Sequence, residues 1–344
     1  MHLDKLVTVV GAHAEGEVGR VITGGVLPPK GKTMFECMQD LQTNNDWVRQ
    51  MLLFDPRGSV NTAINLITPP VNPAADIGMI VIESDYYVPM SGSNLICTVT
   101  VALETGLLPM KGKETVVIVD TPAGLVKVIA DCSNNKCNSI SFTNIPSFVM
   151  NADQIIDVPS LGRVNVDISY GGMIYAIVDA KELGFTLHRD EARDLVHFGE
   201  LIKLAAAEQI ISIHPENPGI HTVNQTLFGG PIIRTEEGLR SKNAVVVSPG
   251  RLDRCPCGTG TSARLALMHS KGQINIYEKF FHESILDTVF ESSIIEETTL
   301  ETSQIKAVTP VVKGRAWLTG VSQYGVDSDD PFPNGYRLND TWFK

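Results

Sequence analysis

Two stretches of this chain share one build, and together they limit the folds open to it. Pro89-Met90-Ser91-Gly92-Ser93-Asn94 leads into an apolar run that stops at Gly106. Cys255-Pro256-Cys257-Gly258-Thr259-Gly260 leads into another that stops at Gly272. Ser91 to Gly106 is 15 residues, and so is Cys257 to Gly272. Each stretch predicts a turn bearing a nucleophile-type residue, about three turns of helix and a glycine stop. The first helix, read over Leu95 to Leu103, is apolar or small on every side, and the second runs from about Thr261 to Ser270 with the same character. A helix with no polar face has to be surrounded by protein. Two such helices call for two surrounding shells.

The flanking sequence predicts strands to build those shells. Lys5–Val10 and Arg20–Thr23 read as strands separated by residues 11–17, followed by a helix over Lys32 to Asn44 from the spacing of Met34, Phe35, Met38 and Leu41. Val60–Ile67 and Ile77–Ile82 read as strands before the first buried helix. Thr115–Val119, Leu125–Ala130, Ser139–Thr143, Val164–Ile168 and Met173–Val178 read as strands after it. Arg189–Gln209 is an amphipathic helix with Leu195, Phe198, Leu201, Ile202, Leu204 and Ala205 inside and Lys203 among the outer charges. Ala244–Val247 is a buried-type strand before the second unit. The order strands, buried helix, strands occurs twice. It predicts an α/β (α+β) protein of two pseudo-symmetric domains, each a curved sheet around one central helix. The first domain is placed at 1–150 and the second at 151–344, with the boundary near Ile145–Leu161 and the tail from about 325 packing back on the first domain. A chain of 344 residues is long enough for both cores.

The net charge of −11 argues against a nucleic-acid partner, which would want a basic face, but leaves room for a small anion held by local donors. Met1 to Val10 shows no secretory leader and no apolar run is long enough for a membrane span, so a cytoplasmic protein is expected. Its six cysteines are then expected to be reduced. Cys132 and Cys137 read as a hairpin tip with two free thiols. Cys255 and Cys257 form a Cys-x-Cys pair with no further ligands at zinc-like spacing, so no metal is expected.

A thiol at Cys257 would sit at a helix N-terminus, where unpaired N–H groups and the macrodipole favour a thiolate. The same N–H groups would hold a carboxylate, and Asp253 would pair with an ammonium. Such a site suits an amino acid whose Cα–H points at sulfur. Against this stands plain packing of Cys257 at a Gly-rich loop, and the motif alone leaves the two readings level. Ser91 has the corresponding place in the first unit and reads equally as an N-cap. A serine needs an activating partner to act as a base. His13 and His221 are the histidines considered for that role, and the Gly-x-Ser-x-Gly elbow is absent. Arg254 and Arg264 read as surface or structural charges, and Gly171-Gly172 and Gly229-Gly230-Pro231 as turns or strand distortions. Neither a dinucleotide fingerprint nor a P-loop is present. Cofactor-independent acid–base chemistry at Cα is the reading left.

Met90-Ser91-Gly92-Ser93-Asn94 and Asp253-Arg254-Cys255-Pro256-Cys257-Gly258-Thr259-Gly260-Thr261 resemble the two active-site motifs of the proline racemase family. Residues 11–17 and 20–25, Pro56-Arg57-Gly58, Gly171-Gly172-Met173-Ile174-Tyr175, Asp330-Pro331-Phe332, Gly335 and Asp340-Thr341-Trp342 extend the resemblance over the whole chain. It implies a diaminopimelate-epimerase-like fold with the active site between the domains. Racemases and 4-hydroxyproline 2-epimerases of that family carry a cysteine in both motifs. Here Ser91 replaces the first cysteine and Ser93 the histidine that usually follows. That pair of changes resembles the trans-3-hydroxy-L-proline dehydratases.

The resemblance therefore implies a hydro-lyase, with Cys257 as base and Ser91 orienting substrate or binding the leaving oxygen. Gly92, Ser93, Gly258 and Thr259 would hold the carboxylate, and Asp253 the ring nitrogen. No cofactor is implied, the partner is a small imino acid, and a homodimer is the assembly considered. The alternatives are a 4-hydroxyproline 2-epimerase and a catalytically inactive amino-acid-binding protein.

Overall fold

Both glycine-stopped stretches are helices of 13 residues, Gly92–Glu104 and Gly258–Ser270. The computed structural model in which they lie describes residues 3–342; Met1 and His2, the start of the stretch read for a leader, are outside the described residues. Gly106 and Gly272 follow the helices with φ of 77° and 66°. A residue without Cβ adopts that left-handed conformation at little cost, and it ends the helix. Every residue from Gly92 to Leu103 and from Gly258 to Met268 is buried.

The chain divides into two compact units, Met1–Phe142 with Gly314–Lys344, and Thr143–Lys313. The first unit contains β1 (Leu3–Ala14), β2 (Glu17–Gly24), α1 (Met34–Asn44), α2 (Trp47–Leu53), β3 (Ala63–Thr68), β4 (Ile77–Ile82), β5 (Tyr87–Val88), α3 (Gly92–Glu104), β6 (Glu114–Thr121), β7 (Gly124–Ser133) and β8 (Lys136–Thr143). The second contains β9 (Phe148–Val158), β10 (Gly162–Tyr170), β11 (Ile174–Asp179), α4 (Ala192–Gln209), β12 (Gln225–Gly229), β13 (Ile233–Arg234), β14 (Leu239–Val247), β15 (Arg251–Leu252), α5 (Gly258–Ser270), β16 (Phe280–Glu283), β17 (Val289–Thr299) and β18 (Lys306–Gly314). The last strand, β19 (Ala316–Asp327), pairs antiparallel with β1 along its whole length.

The duplication is visible in the pairing. The first sheet runs β19-β1-β2-β3-β4-β6-β7-β8, with β2–β3 and β4–β6 parallel and the other neighbours antiparallel. The second runs β9-β10-β11-β12-β14-β16-β17-β18, with β11–β12 and β14–β16 parallel and the rest antiparallel. The two sheets thus repeat one sequence of pairings. In each, the buried helix links the strands of the second parallel pair. α3 packs on β1, β2, β3 and β19, and α5 on β9, β10, β11 and β17. Helices α1 and α2 cover β3 and β4, while α4 covers β12 and β14. Both faces of the central strands are therefore buried, and β4 and β12 show no exposed residue.

The structure departs from the sequence expectation in several places. Phe148–Val158, inside the expected boundary region, is β9 and pairs with β10. The division falls at 142/143 instead. The returning segment starts at Gly314, because β19 completes the first sheet. Residues 11–14 belong to β1, and the turn narrows to Glu15-Gly16. Helix α2 had no counterpart in the periodicity. In α4 Leu204 is 58% exposed and Lys203 only 5%, because Lys203 Nζ is held by the Glu200 carboxylate at 2.7 Å and Ser248 Oγ at 3.2 Å. Cys132 and Cys137 pair across a hairpin tip, both free and both buried. Among the described residues no helix is long and apolar enough to cross a membrane.

Candidate active site

In the first unit Ser91 occupies the N-cap position of α3 with extended backbone, φ −146°. Its side chain makes no cap hydrogen bond. Ser91 Oγ instead accepts from Asn94 Nδ2 at 2.9 Å, with Ser93 Oγ at 3.5 Å. Asn94 Oδ1 in turn accepts from Asn65 Nδ2 at 2.9 Å. This chain is packed tightly, since a Cβ on Gly19 of β2 would come within 2.8 Å of Asn94 Oδ1. The Ser91 hydroxyl thus accepts one hydrogen bond from Asn94, and in its contact with Ser93 either hydroxyl can be the donor. His13 is not its partner: the ring stacks on Trp317 at 5.2 Å and Nδ1 accepts from Gly16 N. His221 is exposed and its backbone bridges Ile213.

In the second unit Cys257 occupies the N-cap position of α5 with φ +67° and ψ 108°. For a residue with a Cβ this backbone is strained, at a cost of roughly 1–3 kcal/mol, and such strain gathers at functional sites. Cys257 is 5% exposed. Tyr175 Oη from β11 lies 3.3 Å from Cys257 Sγ and 2.6 Å from Thr259 Oγ1, with Thr259 Oγ1 3.9 Å from the sulfur. Cys257 N donates to Cys255 Sγ at 3.3 Å, and Cys255 Sγ donates to Asp253 Oδ1 at 3.4 Å.

Burial pushes the Cys257 thiol well above its ordinary range, and the Asp253 carboxylate pushes it further. The Tyr175 hydroxyl and the Gly260 N–H act the other way. The expected lowering by the helix terminus is thus outweighed. An anion in a dry site loses more hydration than one turn of helix returns.

The turn before β11 sets the height of this site. A Cβ on Gly171 would fall well inside 3.0 Å of both Thr259 O and Ala263 N, and one on Gly172 would lie 2.8 Å from Thr259 Cγ2. Gly171-Gly172 is therefore the place where the β10–β11 turn lies against the first turn of α5. The floor of the Cys255-Pro256-Cys257 loop is a buried polar cluster. Asn243 Nδ2 donates to Pro256 O at 2.9 Å, and Thr261 Oγ1 and His282 Nδ1 share a hydrogen bond of 2.8 Å. His282 is fully buried and held well below its ordinary value by burial and by Arg264. Arg264 itself is not at the surface. Its guanidinium lies on Gly229, where a Cβ would collide with it, and Nη2 donates to Gly230 O at 3.0 Å. Arg254 is partly buried and donates to Leu252 O.

Gly92 and Ser93 thus join Ser91 at one helix N-terminus, and Gly258 and Thr259 join Cys257 at the other, with Asp253 held beside the thiol through Cys255. Each terminus offers unpaired N–H groups suited to a carboxylate. Sequence reasoning missed the part of Tyr175. A hydroxyl in the otherwise aliphatic buried run Ile174–Val178 needs an interior partner, and that was the available signal. Asn94 and His282 carried no comparable mark.

A model of the family described as proline racemase matches residues 9–337. A hydroxyproline epimerase from Agrobacterium vitis, solved with bound trans-4-OH-L-proline, is 35% identical, with a TM-score of 0.91 over 99% of this chain and 98% of that one. A probable proline racemase from Agrobacterium radiobacter K84, solved with bound carbonate, is 37% identical, with a TM-score of 0.90 over 98% of each chain. A phenazine biosynthesis protein of the PhzF family from Bacillus anthracis is 12% identical with a TM-score of 0.58 over 94% of this chain and all of that one, a likeness of fold alone. The fold is the diaminopimelate-epimerase-like one expected from the sequence.

Proposed function

The chain belongs to the proline racemase family, and on that premise we propose that it dehydrates trans-3-hydroxy-L-proline. The observation that carries this reading is the state of Ser91. Its hydroxyl already accepts from Asn94 Nδ2 and meets the Ser93 hydroxyl, and neither of these neighbours is a base. Inversion at Cα needs a proton-transfer group on each face of the carbon. A serine alkoxide is too basic to be regenerated in such a cycle at neutral pH. Elimination from trans-3-hydroxyproline is less demanding, because the C3 hydroxyl and the Cα hydrogen share one ring face.

In this reading the Cys257 thiolate takes the Cα proton. The C2=C3 bond forms as the C3–O bond breaks, and the same proton leaves on the hydroxyl as water. The enamine, Δ2-pyrroline-2-carboxylate, then tautomerises to the Δ1 imine. Gly92, Ser93, Gly258 and Thr259 hold the carboxylate, Asp253 pairs with the ring nitrogen, and Ser91 donates to substrate or to the leaving oxygen. A cationic ring nitrogen beside Asp253 would offset the carboxylate that raises the thiol. Substrate binding would then itself favour the thiolate.

The second reading, a 4-hydroxyproline 2-epimerase, is favoured by the similarity to the Agrobacterium vitis epimerase over nearly the whole chain. The test is separate incubation with trans-3-hydroxy-L-proline and trans-4-hydroxy-L-proline in deuterated water, following pyrroline formation, optical rotation and deuterium at Cα. Pyrroline from the first alone supports the dehydratase. Inverted 4-hydroxyproline as the main product replaces it with the epimerase. Binding without either product leaves an inactive amino-acid-binding protein. Cys257→Ser should lower the dehydration rate by about 10²–10⁴-fold, and an unchanged rate would rule out Cys257 as base.

A further inference from the structure

The Tyr175 hydroxyl is fully buried and has two partners, the sulfur of Cys257 and the Thr259 hydroxyl. A phenol has one proton and can donate to only one of them. Beside a neutral thiol, the 2.6 Å bond to Thr259 Oγ1 can hold that proton. Beside a thiolate, the better acceptor is the sulfur, since hydrogen bonds to charged acceptors are about twice as strong as neutral ones. The Tyr175 proton then turns to sulfur and Thr259 donates to the vacated phenol oxygen. The result is an ordered chain from Thr259 to Tyr175 to sulfur. Thr259 alone is too far away, at 3.9 Å, to do the same work.

We propose that Tyr175 is a catalytic residue of this site, a switching hydrogen-bond donor that makes the Cys257 thiolate accessible. The proposal rests on the reading that Cys257 is the base. Tyr175 does not give up its proton, because burial and the neighbouring sulfur push its own ionisation well above the ordinary value. It acts by direction of its hydrogen bond only. Within this unit, among the described residues, the groups facing the sulfur are Tyr175 from β11, Asp253 from the segment after β15, and from α5 the Thr259 hydroxyl and the Gly260 N–H. Of these Asp253 opposes the thiolate, Tyr175 and the Gly260 N–H favour it, and Thr259 acts through Tyr175. Tyr175 is the nearest of the side-chain donors. β11 carries it there because Gly171-Gly172 lets the preceding turn lie on α5.

The test needs no substrate. The rate of Cys257 alkylation by iodoacetamide is followed against pH, with the modified cysteine identified by peptide mass spectrometry, in the full-length protein. In Tyr175→Phe the midpoint of the profile should move up by about one pH unit, a roughly tenfold loss of alkylation rate at a fixed pH below it. The midpoint is the readout, because removing an oxygen also widens access to the sulfur and changes the plateau. Thr259→Val should move the midpoint the same way by less, and serves if Tyr175→Phe does not fold. Tyr170→Phe removes another buried tyrosine hydroxyl, one with no contact to Cys257, and should leave the midpoint in place. Folded Tyr175→Phe with an unmoved midpoint overturns the proposal, as does an equal shift in Tyr170→Phe. Because the readout is the thiol itself, the outcome is independent of whether the substrate is 3-hydroxyproline.

Discussion

Gly171→Ala tests whether the β10–β11 turn sets the position of the Cys257 helix. The backbone at Gly171 is not in the left-handed region, so alanine is admissible there and the cost is steric alone. The new Cβ would fall well inside 3.0 Å of Thr259 O and Ala263 N, and 3.1 Å from Ala263 Cα. These are backbone atoms of α5 and cannot rotate away. The turn or the helix must therefore retreat by about 1 Å to reach ordinary contact, and a shift of that size at a catalytic group costs on the order of 10²-fold in rate. Stability should fall by about 1–3 kcal/mol, as for other overpacked interiors. The assay is kcat/KM on the best substrate found, together with the alkylation midpoint of Cys257 and the melting temperature. Gly24→Ala is the control, because its Cβ would meet only Thr8 Cβ at 3.9 Å and Thr8 Oγ1 at 4.0 Å. If Gly171→Ala behaved like Gly24→Ala in both rate and stability, the turn would not be what positions the helix.

Two further outcomes are expected. His282 is buried neutral with its folded value depressed below 6.5, so it contributes stability above that pH which is lost as pH falls. Urea unfolding between pH 7.5 and 5.5 should show stability falling with pH, by at most about 1.4 kcal/mol per pH unit from this group, absent in His282→Gln; an identical slope in the variant would refute it. Ser91→Cys restores a thiol to the first motif and should raise inversion of trans-4-hydroxy-L-proline by about 10²–10⁴-fold, read by polarimetry and by deuterium entering Cα with inversion. No gain in inversion would show that the residue at 91 does not decide between the two reactions.

The two buried helices were legible because nothing else in a chain accounts for an apolar run on all sides followed by glycine, and both stops do take a left-handed backbone. Local signals of that kind place an element to within a turn. Long-range pairing has no such signal. β19 belongs with β1 because the first sheet needs an edge partner, and no residue within 316–327 announces it. The same limit hid Lys203, whose burial depends on Ser248 from a distant segment as much as on Glu200 one turn away. At the site, Cys257 and Ser91 stood out by chemistry. What surrounds them did not: Asn65, Tyr175 and His282 reach the two helices from other strands. The thiol's own tuning was misjudged for a related reason. Helix position is written in the motif, whereas burial is a property of everything packed around it.

The matching topology of the two units makes the difference at their helix starts informative. Both helices begin at a nucleophile-type residue, and in both the donor to that residue comes from three positions later. In the second unit it is a main-chain donor, the N–H of Gly260, and a Cβ there would lie 3.1 Å from Cys257 Sγ. Glycine thus leaves room for a large sulfur held by a left-handed Cys257. In the first unit the donor is a side chain, the Asn94 amide, anchored by Asn65 and directed at a hydroxyl on extended backbone. The difference at position 91 is therefore not an isolated exchange of oxygen for sulfur. The helix turn behind it supplies a side-chain amide to a hydroxyl, as the helix turn behind Cys257 supplies a main-chain N–H to a sulfur. A first site built that way is suited to hold or protonate a departing oxygen. A proton carrier to and from carbon would need a stronger base there, and on that ground elimination is proposed ahead of inversion.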